Sequence, residues 1–200
     1  MEEITRYTAS DGCEVSLTAE DVVKYIVSSS GNAKPTEKDI MAFIAKCQAR
    51  GLNPLAGDCY MVTYDSKDGA KSSVITSKDY FVRTACKQPD YDGLEAGIVV
   101  ANKDGELIYR EGSLYGKETE RLVGGYAVVY SKTRSHPSRA VVSLSEYSTG
   151  RNLWASKPAT MIRKVALVQA IREAYPEQFG GVYDNAEMPE PTYEPNAGNN

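Results

Sequence analysis

"ATMIRKVALVQAIREAYP", residues 159–176, holds enough residues for four helical turns and halts at a proline. On a wheel of about 100° per residue, Met161, Lys164, Val165, Leu167, Val168, Ile171, Arg172 and Tyr175 share one arc of roughly 160°. Lys164 and Arg172 therefore fall inside the apolar arc. Arg163 lies opposite, among Ala166, Ala170 and Ala174. Only Gln169 and Glu173 resemble a solvated face, with Ile162 between them. The helix is built for burial on several sides and still carries three cations. A charge buried without a partner costs several kcal/mol, and the one acid on this helix, Glu173, sits on another side. The spacing thus points to cations lining a cleft, with snorkelling to the rim as the plainer alternative.

Working outward, the long helix follows four β-prone runs: "LEAGIVVA", "ELIYREG", "LVGGYAVVYS" and "RAVVSLSEY". Turns at Lys103-Asp104-Gly105 and Arg134-Ser135-His136-Pro137 separate them, so they read as a meander. Upstream, "CYMVTYD" and "KSSVITS" flank "SKDGA", whose Asp68-Gly69 pair signals a hairpin. Ser77 is placed to cap a short helix, "KDYFVRTACKQ". Thr18 with Asp21, and Thr36 with Asp39, have the spacing of helix N-caps. The second of these helices carries Ile40, Phe43, Ile44 and Cys47 as its stripe and ends at Gly51. Ser156 and Pro158 suit the first turn of the long helix. The fold class is α+β: an antiparallel sheet, hairpin plus meander, packed with helices, with the long C-terminal helix facing a groove. Residues 1–183 read as one domain. Residues 184–200 are acidic and proline-rich with nothing to bury, and read as a disordered tail.

The totals bound the function. The 200 residues are 42% hydrophobic and 25% charged, as in an ordinary soluble globular chain. No apolar run approaches the ~20 residues of a membrane span, and "MEEITRYTAS" lacks a signal-peptide core. Cys13, Cys47, Cys59 and Cys86 are dispersed and form no CxxC pair, so free thiols in a reducing cytoplasm are expected. The net charge is −4, but it is unevenly spread. Residues 131–175 carry eight cations and two acids, whereas 1–45 carry four and eight, 91–130 carry four and seven, and 176–200 carry five acids alone. The basic third contains the long helix.

Catalysis finds little support. The single histidine, His136, sits beside a proline in a turn, where it cannot activate a serine or cysteine nucleophile. "GSLYGKE", Gly112 to Glu118, is the nearest approach to a phosphate loop. It lacks one spacer and the Ser/Thr after the lysine that would hold magnesium. A metal nuclease needs clustered carboxylates with a nearby lysine. Asp90 and Glu95 precede a strand that supplies none, so this reading is a rival. No metal site and no cofactor are expected. A nucleic-acid surface asks only for cations and flat side chains. The basic third supplies Lys132, Arg134, Arg139, Arg151, Trp154, Lys157, Arg163, Lys164 and Arg172. A second rival keeps the patch but docks it on an acidic protein.

Several motifs in order resemble phage single-strand annealing proteins of the Red beta/RecT type, the Red beta branch being the nearer. They are "ARGLNPLAGDCYMVTYD", "VITSKDYFVRTACKQPDYDGLEAG", "VVYSKTRSHP" and "NLWASKPATMIRKVALVQAIREAYPEQFGGVYDNAE", which together cover roughly residues 36–187. The last has the family's Trp, Pro, Met-(Ile/Leu)-(Arg/Lys)-(Lys/His) and Gly-(Ile/Val)-Tyr-Asp sequence. The resemblance implies ATP-independent binding of single-stranded DNA and annealing of complementary strands in phage recombination. It also implies assembly into rings or helical filaments in the cytoplasm of a bacterial host, with magnesium at most a modulator. In it, Lys132 and Arg134 match hairpin cations. Trp154, Arg163, Lys164 and Arg172 match helix-side residues, Arg83 falls in the family's short helix, and Lys67 matches a basic loop. Arg151 and Lys157 flank the helix entry. Ala159 and Thr160 stand where the family often has cations. Longer members carry a C-terminal module that engages a phage exonuclease and the host single-strand-binding protein. Too little follows Tyr183 to fold as one, which leaves the exonuclease an open partner and not an implied one.

Overall fold

In a computed structural model, which describes residues 4–29, 33–66, 69–180 and 182–184, the chain packs as two compact units that meet in sequence between Ser77 and Lys78. The first opens with an antiparallel hairpin of β1 (Thr5–Thr8) and β2 (Glu14–Leu17). Tyr7, Val15 and Leu17 alternate inward and are buried, the period of two that a half-covered sheet requires. Thr18 then accepts from the Asp21 amide while the Asp21 carboxylate accepts from the Thr18 amide. This reciprocal cap starts α1 (Ala19–Asp21), which continues as a π-helical turn, Val22–Ile26. The helix expected over "TAEDVVKYIVSS" thus stops early. Val27–Ser29 leaves it as β3 and pairs parallel with β4 (Cys59–Ser66), which pairs antiparallel with β5 (Gly69–Thr76).

Thr36 and Asp39 form a second reciprocal cap at the head of α2 (Glu37–Arg50). Ile40, Phe43, Ile44 and Cys47 are buried along it, and Gly51 closes it at φ 60°, a left-handed conformation that costs glycine little. The Tyr7 hydroxyl donates to the Leu52 carbonyl at 2.6 Å. Cys47 and Cys59 are buried free thiols with sulfurs 3.6 Å apart.

The second unit carries the long helix. It runs α3 (Lys78–Cys86), β6 (Tyr91–Ala101), β7 (Leu107–Glu111), β8 (Arg121–Ser131), β9 (Ser138–Ser143), α4 (Leu144–Tyr147), α5 (Asn152–Ser156), α6 (Pro158–Ala174) and α7 (Pro176–Phe179). The sheet is antiparallel in the order β7-β6-β8-β9, so it is not the simple meander the turns suggested. The reason is burial. β6 and β8 are 11 residues each with long buried runs and take the centre. β7 is five mostly exposed residues and is left at the edge. The segment "SEY" after β9 forms the helical turn α4 and not strand.

Register sets the face on which α6 rests. Ala96, Ala127 and Ala140 lie opposite one another, as do Ile98, Gly125 and Val142. A Cβ at Gly125 would stand 2.5 Å from the Ile162 carbonyl oxygen, so the helix backbone sits directly on that strand. Nine of the seventeen α6 residues are buried, among them Ile162, Ala166 and Ala170. Ile162, read as lying on the solvated side, is wholly enclosed. Burial extends round the helix because sheet, α3, α4 and α5 all contact it. Tyr80, Phe81 and Phe179 pack ring against ring with centroids 5.2–6.1 Å apart.

Candidate nucleic-acid interface

All the sequence-derived site residues except Lys67 belong to the second unit, and Lys67 lies outside the described residues. The three cations of α6 are half-buried, and each meets a group from elsewhere in the unit. Arg163 Nε donates to the Ala96 carbonyl at 3.1 Å. Lys164 Nζ lies 2.7 Å from Asp184 Oδ1, its side chain 26% exposed and that of Asp184 1%. The Arg172 guanidinium stands 4.7 Å from the centroid of the Tyr183 ring. The expectation that Lys164 lacked an acid is therefore corrected. Its partner comes from the chain exit, which turns back past Gly180 onto the helix, and no count of acids within α6 could reveal it. A guanidinium has five donors and an ammonium three, so a single acceptor does not exhaust Arg163 or Lys164.

The hairpin cation Arg134 is tied to the far end of the same helix. Its NH2 group donates to the Ala174 carbonyl at 2.7 Å and lies 3.6 Å from Asp90 Oδ2. Its guanidinium stands 5.4 Å from the Tyr175 ring centroid. A cation on the last carbonyls of a helix satisfies an orphan acceptor and opposes the negative end of the helix dipole. Asp90 accepts from Ser131 Oγ at 2.6 Å. That bond, followed by others including the pull of Arg134, holds its carboxyl below the ordinary carboxylate range. Asp90 is one of the acids a nuclease reading of the sequence calls on. Here it fastens a turn. Among the described residues, no three His, Cys, Asp or Glu side chains converge as a metal ion would need.

Lys132, Arg151, Lys157 and Arg83 are exposed. Arg151 is flanked by Gly150 at φ 67° and Asn152 at φ 51°. Asn152 is the one non-glycine residue with positive φ among the described residues, a conformation that stores strain and recurs at binding sites. Lys157 occupies the N-cap position of α6, Pro158 follows, and no side chain caps the amides there. Trp154 is 4% exposed, Tyr80 3% and Phe81 not at all. Of the two readings the sequence leaves open for these three rings, stacking on bases or filling the core, their burial fits the second. Arg139, exposed on β9, stands over Tyr109 at 5.2 Å.

A family model, the RecT family, matches residues 23–197. The chain belongs to the RecT family. The match spans both compact units and takes in every site residue named above. An uncharacterized protein of Ureaplasma parvum serovar 3 is 30% identical over 128 residues, 63% of this chain and 49% of that protein. The chain therefore spans about half the length of this curated relative. Among the described residues, no helix is long and apolar enough to cross a membrane.

Proposed function

We propose that the chain binds single-stranded DNA through the basic side of its second unit and anneals complementary strands without ATP, in phage recombination, as a ring or helical filament of identical subunits. The observation that carries this reading is the placement of cations at both ends and the middle of α6. Arg151 and Lys157 mark its start, Arg163 and Lys164 its middle, and Arg172 with the fastened Arg134 its end. A helix of 17 residues is about 25 Å long at ~1.5 Å per residue, a path of about seven phosphates at ~3.4 Å per nucleotide.

The mechanism follows from what such a surface can do. Cations bind phosphates without reading sequence, which leaves base edges to pair. The uncapped amides at the α6 N-terminus add donors and the positive end of a dipole for one phosphate, where Ala159 and Thr160 replace the family's cations. Because α6 is clamped to the sheet at Gly125, its charges are held on a rigid element. Pairing supplies the free energy, with stacking contributing ~1.4 kcal/mol per step, so neither nucleotide hydrolysis nor a cofactor enters the cycle. The work is done in the host cytoplasm.

The test is to add two complementary oligonucleotides in sequence to the protein, without nucleotide, and follow pairing by fluorescence. Pairing well above the rate of the protein-free control is expected. Pairing no faster than that control, or shortened strands in magnesium, would overturn the reading.

A further inference from the structure

Phosphate contacts fix the backbone of a strand and leave its bases unsupported, so the aromatic side chains near α6 bear on how a strand is presented. Trp154, Tyr80, Phe81, Tyr175 and Phe179 are buried. Two exposed aromatic side chains are described in the second unit, Tyr109 and Tyr183. Tyr109 pairs across from Val99 and so lies on the sheet face away from α6, since Gly125 and not Gly124 meets the helix. Tyr183 is against the helix. It is 46% exposed, and the guanidinium of Arg172, in the last turn of α6, stands 4.7 Å from its ring centroid.

The chain on either side of this ring is pinned. The Val182 amide donates to the Phe179 carbonyl at 3.1 Å, and Val182 is wholly buried. Asp184 places Oδ1 2.7 Å from Lys164 Nζ, with its side chain 1% exposed. Tyr183 thus projects from a short strap fastened through both neighbours, and ordering it against a ligand costs little conformational entropy. The carboxylate beside it is enclosed and matched by Lys164, so it adds no bare negative charge at the surface. Of the exposed acids nearby in sequence, Glu173 points about 100° further round α6 than Arg172, and Glu177 lines a cleft with Gln88.

We infer that the face of Tyr183 turned away from Arg172 stacks on one base of the bound single strand. The guanidinium holds one face of the ring by a cation–π contact, and nearly half of the residue is left open, enough for a base to rest on the other. Every base offers a flat surface, so the contact is indifferent to sequence. Stacking occupies the face of a base and leaves its pairing edge free, which annealing requires. The position suits this role. Lys164 and Arg172 are eight residues apart, about 12 Å at ~1.5 Å per residue, or three to four nucleotides at ~3.4 Å each. The ring therefore stands at one end of a short stretch whose phosphates the two cations would hold. This rests on the proposed DNA binding and deepens it, adding a base contact to a surface otherwise read as a phosphate track.

The test measures binding of the whole chain to two strands of equal length and charge, a mixed-sequence oligonucleotide and its abasic counterpart, at one salt concentration. The parent is expected to prefer the base-bearing strand by about tenfold. Tyr183→Leu should bring that ratio near one by weakening the base-bearing strand alone, while Tyr183→Phe and Tyr183→Trp should keep it. If the ring only props Arg172, its removal will weaken both strands alike and leave the ratio unchanged, and the inference is overturned. A parent that holds both strands equally overturns it as well, and that result needs no variant to fold. A parent that binds neither strand counts against the DNA reading itself, and the inference falls with it.

Discussion

The Lys164 ammonium and the Asp184 carboxylate lie 2.7 Å apart, with the carboxylate side chain 1% exposed. The pair joins the middle of α6 to the segment leaving α7, and the next residue back, Tyr183, stands over Arg172. Removing one partner of a buried ion pair strands the other charge, whereas removing both can be nearly neutral. Lys164→Ala is therefore expected to lower the unfolding free energy by about 3 kcal/mol, with Lys164→Met plus Asp184→Leu recovering part of it. Urea titration followed by the fluorescence of Trp154, the single tryptophan, checks this. A Lys164→Ala variant as stable as the parent would show that the pair does not hold the exit segment.

Lys132, Arg151 and Lys157 are exposed cations of the candidate site, and their loss leaves the core untouched. Each change to alanine is expected to weaken binding of a single strand by about three- to tenfold and to flatten its salt dependence by about 0.7. Stability should stay within ~0.5 kcal/mol of the parent. Arg134 should behave differently, because it fastens the β8–β9 turn to the Ala174 carbonyl. Arg134→Ala is expected to lower both melting temperature and affinity. Equal behaviour of all four variants would contradict the distinction.

Gly125 faces the Ile162 carbonyl with no room for a methyl group, the contact being 2.5 Å from an ideal Cβ. The obstacle is backbone, so Gly125→Ala must push α6 off the sheet. A loss of roughly 1–3 kcal/mol is expected, the usual cost of overpacking, with a fall in DNA affinity as the cations along the helix shift. An unchanged melting temperature would mean that α6 does not rest on β8 as described.

Asp21 and Asp39 are held below the ordinary carboxylate range, chiefly by hydrogen bonds from Thr18 and Thr36. Asp90 is held down by Ser131 and Glu120 by Arg110. Groups with depressed native values bind fewer protons folded than unfolded. Their contribution is complete above the unfolded values near pH 4 and disappears as pH falls through the lower native ones. Urea midpoints should be level from pH 7 to 5 and drop below about pH 4. Thr36→Ala should lose about 1 kcal/mol at pH 7 and show a shallower acid decline. A parent midpoint that holds to pH 3 would sink this.

Much of this architecture was legible in local sequence. Thr18 and Thr36 begin helices, Gly51 ends one, Pro158 opens α6, and the strands of the β4–β5 hairpin fall where alternation put them. These features depend on residues within a turn or two of each other. Strand order was not legible, because the choice of β6 over β7 as the neighbour of β8 depends on which strand can be buried on both sides. The hairpin of β1 and β2 hid in an acidic, weakly alternating lead. In the site, the cationic residues were visible as a charge excess over 131–175, but their partners were not. Asp184, Asp90 and the Ala96 carbonyl arrive from 20, 44 and 67 residues away from the cations they meet. The burial of Trp154 was likewise hidden, since an aromatic in a basic stretch serves core and stacking equally well on paper.

The central claim is that DNA is held by its phosphates on the basic side of the second unit. It is tested most directly by measuring the affinity for a short single strand of mixed sequence across a range of salt concentrations. At about −0.7 per phosphate contact, four or five contacts give a slope of log K against log salt of about −3, similar for unrelated sequences. A slope near zero, or an affinity that follows base sequence and ignores salt, would contradict it.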